Sequence, residues 1–384
     1  MHRARHEANY RMSLATASLR SAVRLRRKRR AMRRWTTRLA GAPPDVLLGA
    51  NVDTNRGIRS HLAGIQRYSS LRVELSPPDD LRNDLSYPDF HTSLREQFFE
   101  FAPTGIGNVH SHVYPFFIEW CREHSGSGTQ WVHTYHSPYF PTGAQNVLEP
   151  WEQQINDALF GVARHADVRV SVSRWQQEWL AAEHGITTQY IPNGVDVPLC
   201  DLGDPERFRA RVTTERFVLY IGANEAVKNP ADVVRLAHAM PDQRFIAIGG
   251  GLAAGVLRER WGVDSPANLT YLGEQSRIEV QDALAASSAL VVTSLWEGLP
   301  TAALEAMVHG VPVILADNPG CTEVADGGRY GFIYRQGDLE HLESRTRDAL
   351  YAGRNPASRE HIVSEYDWRI VAGKLDAIYR AGVT

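Results

Sequence analysis

The sequence predicts an α/β protein built as two doubly wound parallel sheets in tandem, facing one another across a cleft. Three observations carry this reading. The chain has 384 residues, of which 43% are hydrophobic, enough to bury two ordinary cores. From Pro43 onward, short apolar segments of strand length alternate with helix-period segments, as in parallel sheets covered on both faces. The alternation runs twice and is interrupted once, near residue 196, by turn and loop residues.

The first series opens with P-D-V-L-L-G-A-N, a run fit for a buried strand, and Gly57 then opens the helical segment I-R-S-H-L-A-G-I-Q-R-Y. Further strands are predicted at Leu71–Leu75, Asn108–His112, Thr129–Thr134, Val168–Ser171 and Thr188–Ile191. The segment I-P-N-G-V-D, Ile191 to Asp196, reads as a turn, and C-D-L-G-D-P after it as a loop. The second series places strands at Phe217–Gly222, Arg244–Gly249, Leu269–Leu272, Ala289–Thr293, Pro312–Ala316 and Gly331–Tyr334. A last helix carries Trp368, Val371, Leu375, Ile378 and Tyr379 at helical spacing. The expected divisions are a basic extension (1–40), a first domain (41–195, joined by 368–384) and a second domain (196–367).

Charge is distributed unevenly. Residues 1–38 hold 13 Arg or Lys and a single acid, Glu7, so +12; the remainder holds 29 bases against 43 acids, so −14. A basic segment on an acidic body suits an anionic partner, and the run R-L-R-R-K-R-R, Arg24 to Arg30, suits an anionic membrane surface better than nucleic acid. The bland alternative is a solvated tail. No apolar run approaches the ~18 residues of a membrane helix, and no signal peptide is expected. Cys121, Cys200 and Cys321 are scattered without metal or redox spacing, which fits a reducing cytoplasm. The expected location is therefore cytoplasmic, with the basic segment at the inner membrane face.

The densest chemical signal is S-L-W-E-G-L-P-T-A-A-L-E-A-M-V-H-G-V-P-V, Ser294 to Val313. Glu297 lies just past a predicted strand, where open α/β sheets bind ligands. Pro300 and Thr301 fit the first positions of a helix, with Thr301 able to cap, and Glu305 falls in its early turns. Free N–H groups of Thr301, Ala302 and Ala303 would then bind phosphate. Carboxylates on either side would take paired hydroxyls, the layout of a nucleotide sugar. The alternative is that Glu305 merely complements the helix dipole and Glu297 is solvated.

E-G-L-P-T-A-A-L-E-A-M-V-H-G-V-P-V-I resembles the signature of the family-4 retaining glycosyltransferases, enzymes of GT-B fold with two Rossmann-like domains. P-G-C-T-E-V, G-F-I-Y, I-P-N-G-V-D, S-V-S-R-W-Q-Q-E-W-L and Y-D-W with its helix are similar to further parts of that pattern, over roughly residues 44–384. The resemblance implies that Glu305 holds the ribose hydroxyls, Glu297 the donor sugar and the helix mouth (Gly298, Leu299, Pro300, Thr301, Ala302) the phosphate. It implies a crossover of the last helix back to the first domain. It maps Lys228 onto a lysine aimed at the diphosphate, His136 onto a donor-sugar contact from the first domain, and Gly57 and Gly222 onto the glycines of two strand–helix loops. Ala223 stands where the family usually has arginine.

His110 and His112 read as mostly structural. With His133 and His136 they have no carboxylate or cysteine at matching spacing, and no Asp-x-Asp occurs, so no metal or cofactor is expected. Gly320 and Glu323 look like elements that either support the site residues or line the sugar side, and G-G-G-L near Gly249 resembles the loop by the nucleotide base. The expected activity is metal-independent, front-face transfer of a sugar from a UDP or GDP donor to a carbohydrate, lipid-linked or small-molecule hydroxyl. Competing readings are a degenerate, non-catalytic scaffold, a nucleotide-sugar epimerase, and a dinucleotide reductase. G-G-G-L-A-A-G has the wrong glycine spacing for the last.

Overall fold

The structure is a computed structural model that describes residues 26–27, 30–51, 56–79, 105–126, 128–141, 147–212 and 215–382. Two six-stranded sheets organise the chain. The first contains β1 (Val46–Gly49), β2 (Val73–Ser76), β3 (Asn108–Ser111), β4 (Gln130–Tyr135), β5 (Val168–Ser171) and β6 (Gln189–Tyr190), in the order β2-β1-β3-β4-β5-β6. The second contains β7 (Phe217–Ile221), β8 (Arg244–Ile248), β9 (Leu269–Gly273), β10 (Ala289–Val292), β11 (Val313–Ala316) and β12 (Phe332–Tyr334), in the order β12-β11-β10-β7-β8-β9. Every neighbouring pair is parallel.

Helices cover these sheets, and seven position the parts discussed below. They are α1 (30–41), α2 (Arg56–Tyr68), α3 (Arg174–His184), α4 (Arg277–Ala286), α5 (Thr301–Val308), α6 (Pro319–Val324) and α7 (Trp368–Ala381). The central strands β1, β10 and β11 are buried on both faces, which is why they read as unbroken apolar runs rather than as alternating ones.

Several expectations meet corrections. Residues 30–41 are a helix, and Met32, Trp35 and Leu39 are buried in the core of the first sheet. Trp35 also donates from Nε1 to Glu74 Oε1 at 3.0 Å. The basic stretch therefore conceals an apolar stripe at i, i+3 and i+7, and the extension ends well before residue 40. Residues 1–25, 28 and 29 lie outside the described residues, so most of the expected membrane-binding segment does too. The loop after Asp196 contains a single helical turn, Val197–Cys200, capped by Asp196 through the amide of Leu199. Gly57 lies in the first turn of α2 and is exposed, not in the preceding loop; residues 52–55 are outside the described residues.

The last helix does cross between the two sheets. Trp368, Val371, Leu375 and Tyr379 of α7 are buried in the first core. Gly64 of α2 and Gly194 make room for Trp368: a Cβ on either would lie 2.1 and 2.3 Å from the indole. Asp376 takes the Ser70 amide at 2.8 Å and the Ser70 hydroxyl at 2.6 Å, fixing the helix against the turn before β2.

Candidate active site

In the second sheet the strand order reverses between β7 and β10, the switch point where α/β sheets open a crevice at their carboxyl edge. The loops that follow these two strands are tied together. Thr293, after β10, donates through Oγ1 to the carbonyls of Lys228 (3.0 Å) and Asn229 (2.8 Å), and the Leu295 amide donates to Val227 O at 2.7 Å. The Tyr220 hydroxyl adds a bond to Lys228 O at 3.2 Å. Lys228 ends the short helical turn Ala226–Lys228, and its ammonium meets Glu297 Oε1 at 2.6 Å. The pair is partly desolvated, with side chains 32% and 13% exposed. Burial works to lower the Lys228 pKa, but the charge and hydrogen bond of Glu297 outweigh it and leave it raised, so the lysine is a cation at neutral pH.

The mouth of α5 differs in detail from the sequence expectation. Pro300 is the N-cap, and no side chain caps the helix, so Thr301 is its first residue and not its cap. The Ala303 amide is already bonded to Pro300 O at 3.1 Å, which leaves Thr301 and Ala302 as the amides that helix geometry leaves without intrahelical acceptors. Leu299 is buried in the core of the second sheet and Pro300 is buried, so their side chains pack and only their backbone belongs to the mouth. The Gly298 carbonyl accepts from Trp175 Nε1 at 2.9 Å, and a Cβ at Gly298 would stand 3.2 Å from the Ser137 amide. Gly298 is thus a contact between the halves of the molecule. Gly320 is required beneath it, since a Cβ there would lie 2.2 Å from Glu297 O.

Glu305 sits in the second turn of α5 and faces α4. It accepts from Gln281 Nε2 at 3.0 Å, and burial raises its pKa against the opposing influence of Arg277 and of that hydrogen bond. The two glutamates do not mirror one another across the helix mouth: Glu297 is paired to Lys228 beyond β7, and Glu305 is held toward α4.

Gly222 follows β7, where its amide bonds Ile248 O at 3.0 Å. Opposite it Gly249 has φ +152°, and a Cβ on Gly249 would lie 1.8 Å from Gly222 O, so these two loops touch backbone to backbone. Beside Ala223, the Asn224 carbonyl accepts from Arg260 at 2.7 Å, which brings one guanidinium to this loop.

His136 lies at the end of β4 and is buried. Its Nε2 is 3.1 Å from His112 Nδ1, its carbonyl accepts from Gln176, and its ring meets His61 edge-on with centroids 4.7 Å apart. Burial, with neighbouring histidines, holds its pKa well below the ordinary value, so the ring is neutral. Glu323, read from the sequence as supporting the site or lining its sugar side, reaches the first half. It accepts the amides of Arg174 (2.9 Å) and Trp175 (3.0 Å) at the start of α3, where Ser173 makes no cap bond. Phe140 stacks on Trp296 at 4.4 Å across the same boundary. Sequence reasoning missed His61, Glu323's partner and this stacked pair, because each contact joins residues far apart in the chain.

The family model described as Glycosyltransferase Family 4 matches residues 54–198, and that described as Glycosyl transferases group 1 matches residues 204–364. The chain is 24% identical over 254 residues to the GDP-mannose-dependent monoacylated alpha-(1-6)-phosphatidylinositol monomannoside mannosyltransferase of Corynebacterium glutamicum, covering 58% of this chain and 65% of that protein. It is 29% identical over 161 residues to the UDP-Gal:alpha-D-GlcNAc-diphosphoundecaprenol alpha-1,3-galactosyltransferase of Escherichia coli, covering 39% and 42%. The matches therefore span less than two thirds of these relatives' lengths. Among solved structures, sucrose-phosphate synthase from Thermosynechococcus elongatus superposes with TM-score 0.68 at 18% identity, over 88% of this chain and 98% of that one. Anabaena HepE in complex with UDP and glucose superposes with TM-score 0.63 at 15% identity, over 88% and 99%. Both are likenesses of fold.

Proposed function

The chain belongs to family 4 of the glycosyltransferases, with the GT-B fold, and from that premise we propose that it moves a sugar from a nucleotide-diphosphate sugar to an acceptor hydroxyl. One observation carries the proposal: the Lys228–Glu297 pair joins the loops after β7 and β10 at the switch point of the second sheet, and Glu297 precedes the first residue of α5, Thr301, by four residues. A cation and two oriented N–H groups suit a diphosphate whose charge grows as the glycosidic bond breaks.

The reaction is proposed as retaining and needs no metal on the diphosphate. The donor's C1–O bond breaks with its electron pair going to the phosphate oxygen, while the acceptor oxygen bonds C1 on the same face. The acceptor's proton passes to the leaving phosphate. Lys228, with the Thr301 and Ala302 amides, stabilises that phosphate; Glu297 takes donor-sugar hydroxyls once the phosphate shares its lysine; Glu305 takes the ribose; His136 contacts the sugar from the first half. The donor is of UDP or GDP type, in keeping with the names of the relatives above, and the acceptor a glycan, lipid-linked sugar or small molecule. Ala223 favours a second reading, a protein that binds nucleotide without turning the donor over.

A panel of UDP, GDP and ADP sugars tests this. Ligand at 100 times its dissociation constant adds ~2.7 kcal/mol to folding stability, read as a rise in Tm. Nucleotide release with one member supports transfer, stabilisation without release supports the second reading, and neither sinks both.

The location proposed is cytoplasmic, with the N-terminal segment against an anionic membrane. Among the described residues no helix is long and apolar enough to cross a membrane. Deleting residues 1–29, which removes all of the basic run but Arg30, is expected to weaken binding to phosphatidylserine vesicles at least tenfold while sparing donor turnover. Deleting through residue 38 removes the buried Met32 and Trp35 as well, and is expected to lower Tm. Co-sedimentation and a thermal melt separate the two, and undiminished vesicle binding by the shorter deletion would refute the role.

A further inference from the structure

We infer that His61, His112 and His136 form a binding site for one zinc-class divalent ion, and that an ion held there inhibits transfer. The three come together at the reversal of strand order in the first sheet, between β1 and β3. His61 lies on α2, which follows β1; His112 follows β3; His136 follows β4. This crevice is the first sheet's counterpart of the one that holds Lys228 and Glu297 in the second, and nothing proposed above occupies it beyond His136.

One ring nitrogen from each histidine lies within 4.8 Å of the others. His112 Nδ1 and His136 Nε2 are 3.1 Å apart, and the three ring centroids are separated by 5.2 Å (His61–His112), 4.7 Å (His61–His136) and 5.2 Å (His112–His136). Tetrahedral coordination with metal–nitrogen bonds of ~2.0–2.1 Å sets ligand nitrogens ~3.3 Å apart and ring centres ~5 Å apart. The triangle of imidazoles therefore already has the size of a three-histidine site.

Unmet bonding points the same way. Both ring nitrogens of His61 and Nε2 of His112 are buried without a hydrogen-bond partner in good geometry. Asn193 contacts His61 closely enough to oppose the effect of burial on its pKa, yet its own Oδ1 is also unpartnered. Buried polar atoms left this way each cost ~1–3 kcal/mol. An ion would take one nitrogen of each ring, and Asn193 Oδ1 is placed to accept the remaining His61 N–H, as outer acceptors commonly do for metal-bound histidine. Neutral imidazole is the ligating form. Neighbouring His110 is no ligand, since its nitrogens already face the Tyr379 hydroxyl (2.5 Å) and Thr134 Oγ1 (2.8 Å). Imidazole without oxygen ligands selects zinc, cobalt, nickel or copper over magnesium or calcium. Metal-free phosphate chemistry in the second crevice is untouched by this.

The inhibitory consequence rests on the proposed role of His136: an ion on its ring nitrogen withdraws that ring from the donor sugar. The test uses the full chain dialysed against chelator and titrated with Co2+, then Zn2+. We expect one ion per chain by calorimetry, the intense visible absorption of tetrahedral cobalt, and nucleotide release falling at least tenfold as the site fills. His61→Gln and His112→Gln are expected to weaken binding ~100-fold, and His61→Gln to keep metal-free turnover and escape inhibition, with circular dichroism checking the fold. No stoichiometric binding, or binding kept by both variants, would overturn the site. Binding that leaves turnover unchanged would overturn the inhibition alone. If the metal-free protein turned over no donor, the function proposed above and the inhibition would fall together, and the cobalt titration would still decide the site.

Discussion

Lys228→Met is expected to lower kcat by ~10²–10³-fold, the ~2.7–4 kcal/mol that follows loss of one preorganised transition-state donor. The ammonium is fixed by a carboxylate at 2.6 Å and by a backbone clamped through Thr293 and Tyr220, so it reorganises little when phosphate charge develops. Removing it also leaves Glu297 without its counterion at the proposed diphosphate site. Donor KM should therefore rise as kcat falls. Lys228→Met combined with Glu297→Gln should lose less than the two single effects added together, because the residues act as a unit. Steady-state nucleotide release measures all three, and an unchanged kcat in Lys228→Met would remove the lysine from the site.

Glu305→Gln should separate affinity from stability. A carboxylate gripping two ribose hydroxyls contributes charge-assisted bonds of ~1.5–3 kcal/mol each, so losing the charge should raise the nucleotide dissociation constant by roughly 10–100-fold. The folded protein should not suffer. Burial raises the Glu305 pKa above that of the unfolded chain. Between the two values the native state binds more protons than the unfolded one, so ionising Glu305 lowers stability as pH rises through that window. At pH 7 the glutamine variant is expected to melt at the same temperature or higher. Nucleotide affinity in the natural sequence should fall on acidification through that raised pKa, earlier than for an ordinary carboxylate. Calorimetry giving equal affinities, or a melt showing marked destabilisation, would contradict the ribose role.

The central strands were legible because parallel strands buried on both faces leave contiguous apolar runs, as in V-L-L-G and V-I-L-A. The positions of Lys228 and Glu297 past the ends of β7 and β10, and of Glu305 within α5, could be read because strand ends and helix starts are local patterns. Three things could not. The helix over 30–41 was hidden by its arginines, since three apolar residues in a basic run carry little periodic signal. Leu299 was expected in the phosphate mouth with its neighbours, yet its side chain turns into the core. The partners of Glu323 were hidden too, since it caps α3 from the other half of the molecule.

Chain order by itself determined the two parallel sheets, the alternation of strand and helix, and the carboxylate and lysine near the second switch point, because hydrophobic period and strand-end position are short-range properties. Packing alone decided that Lys228 pairs with Glu297, that Trp368 fits over Gly64 and Gly194, and that His61 meets His112 and His136. Each of those contacts joins distant segments, and its partners are chosen by how sheets and crossover helices stack, which no local pattern encodes.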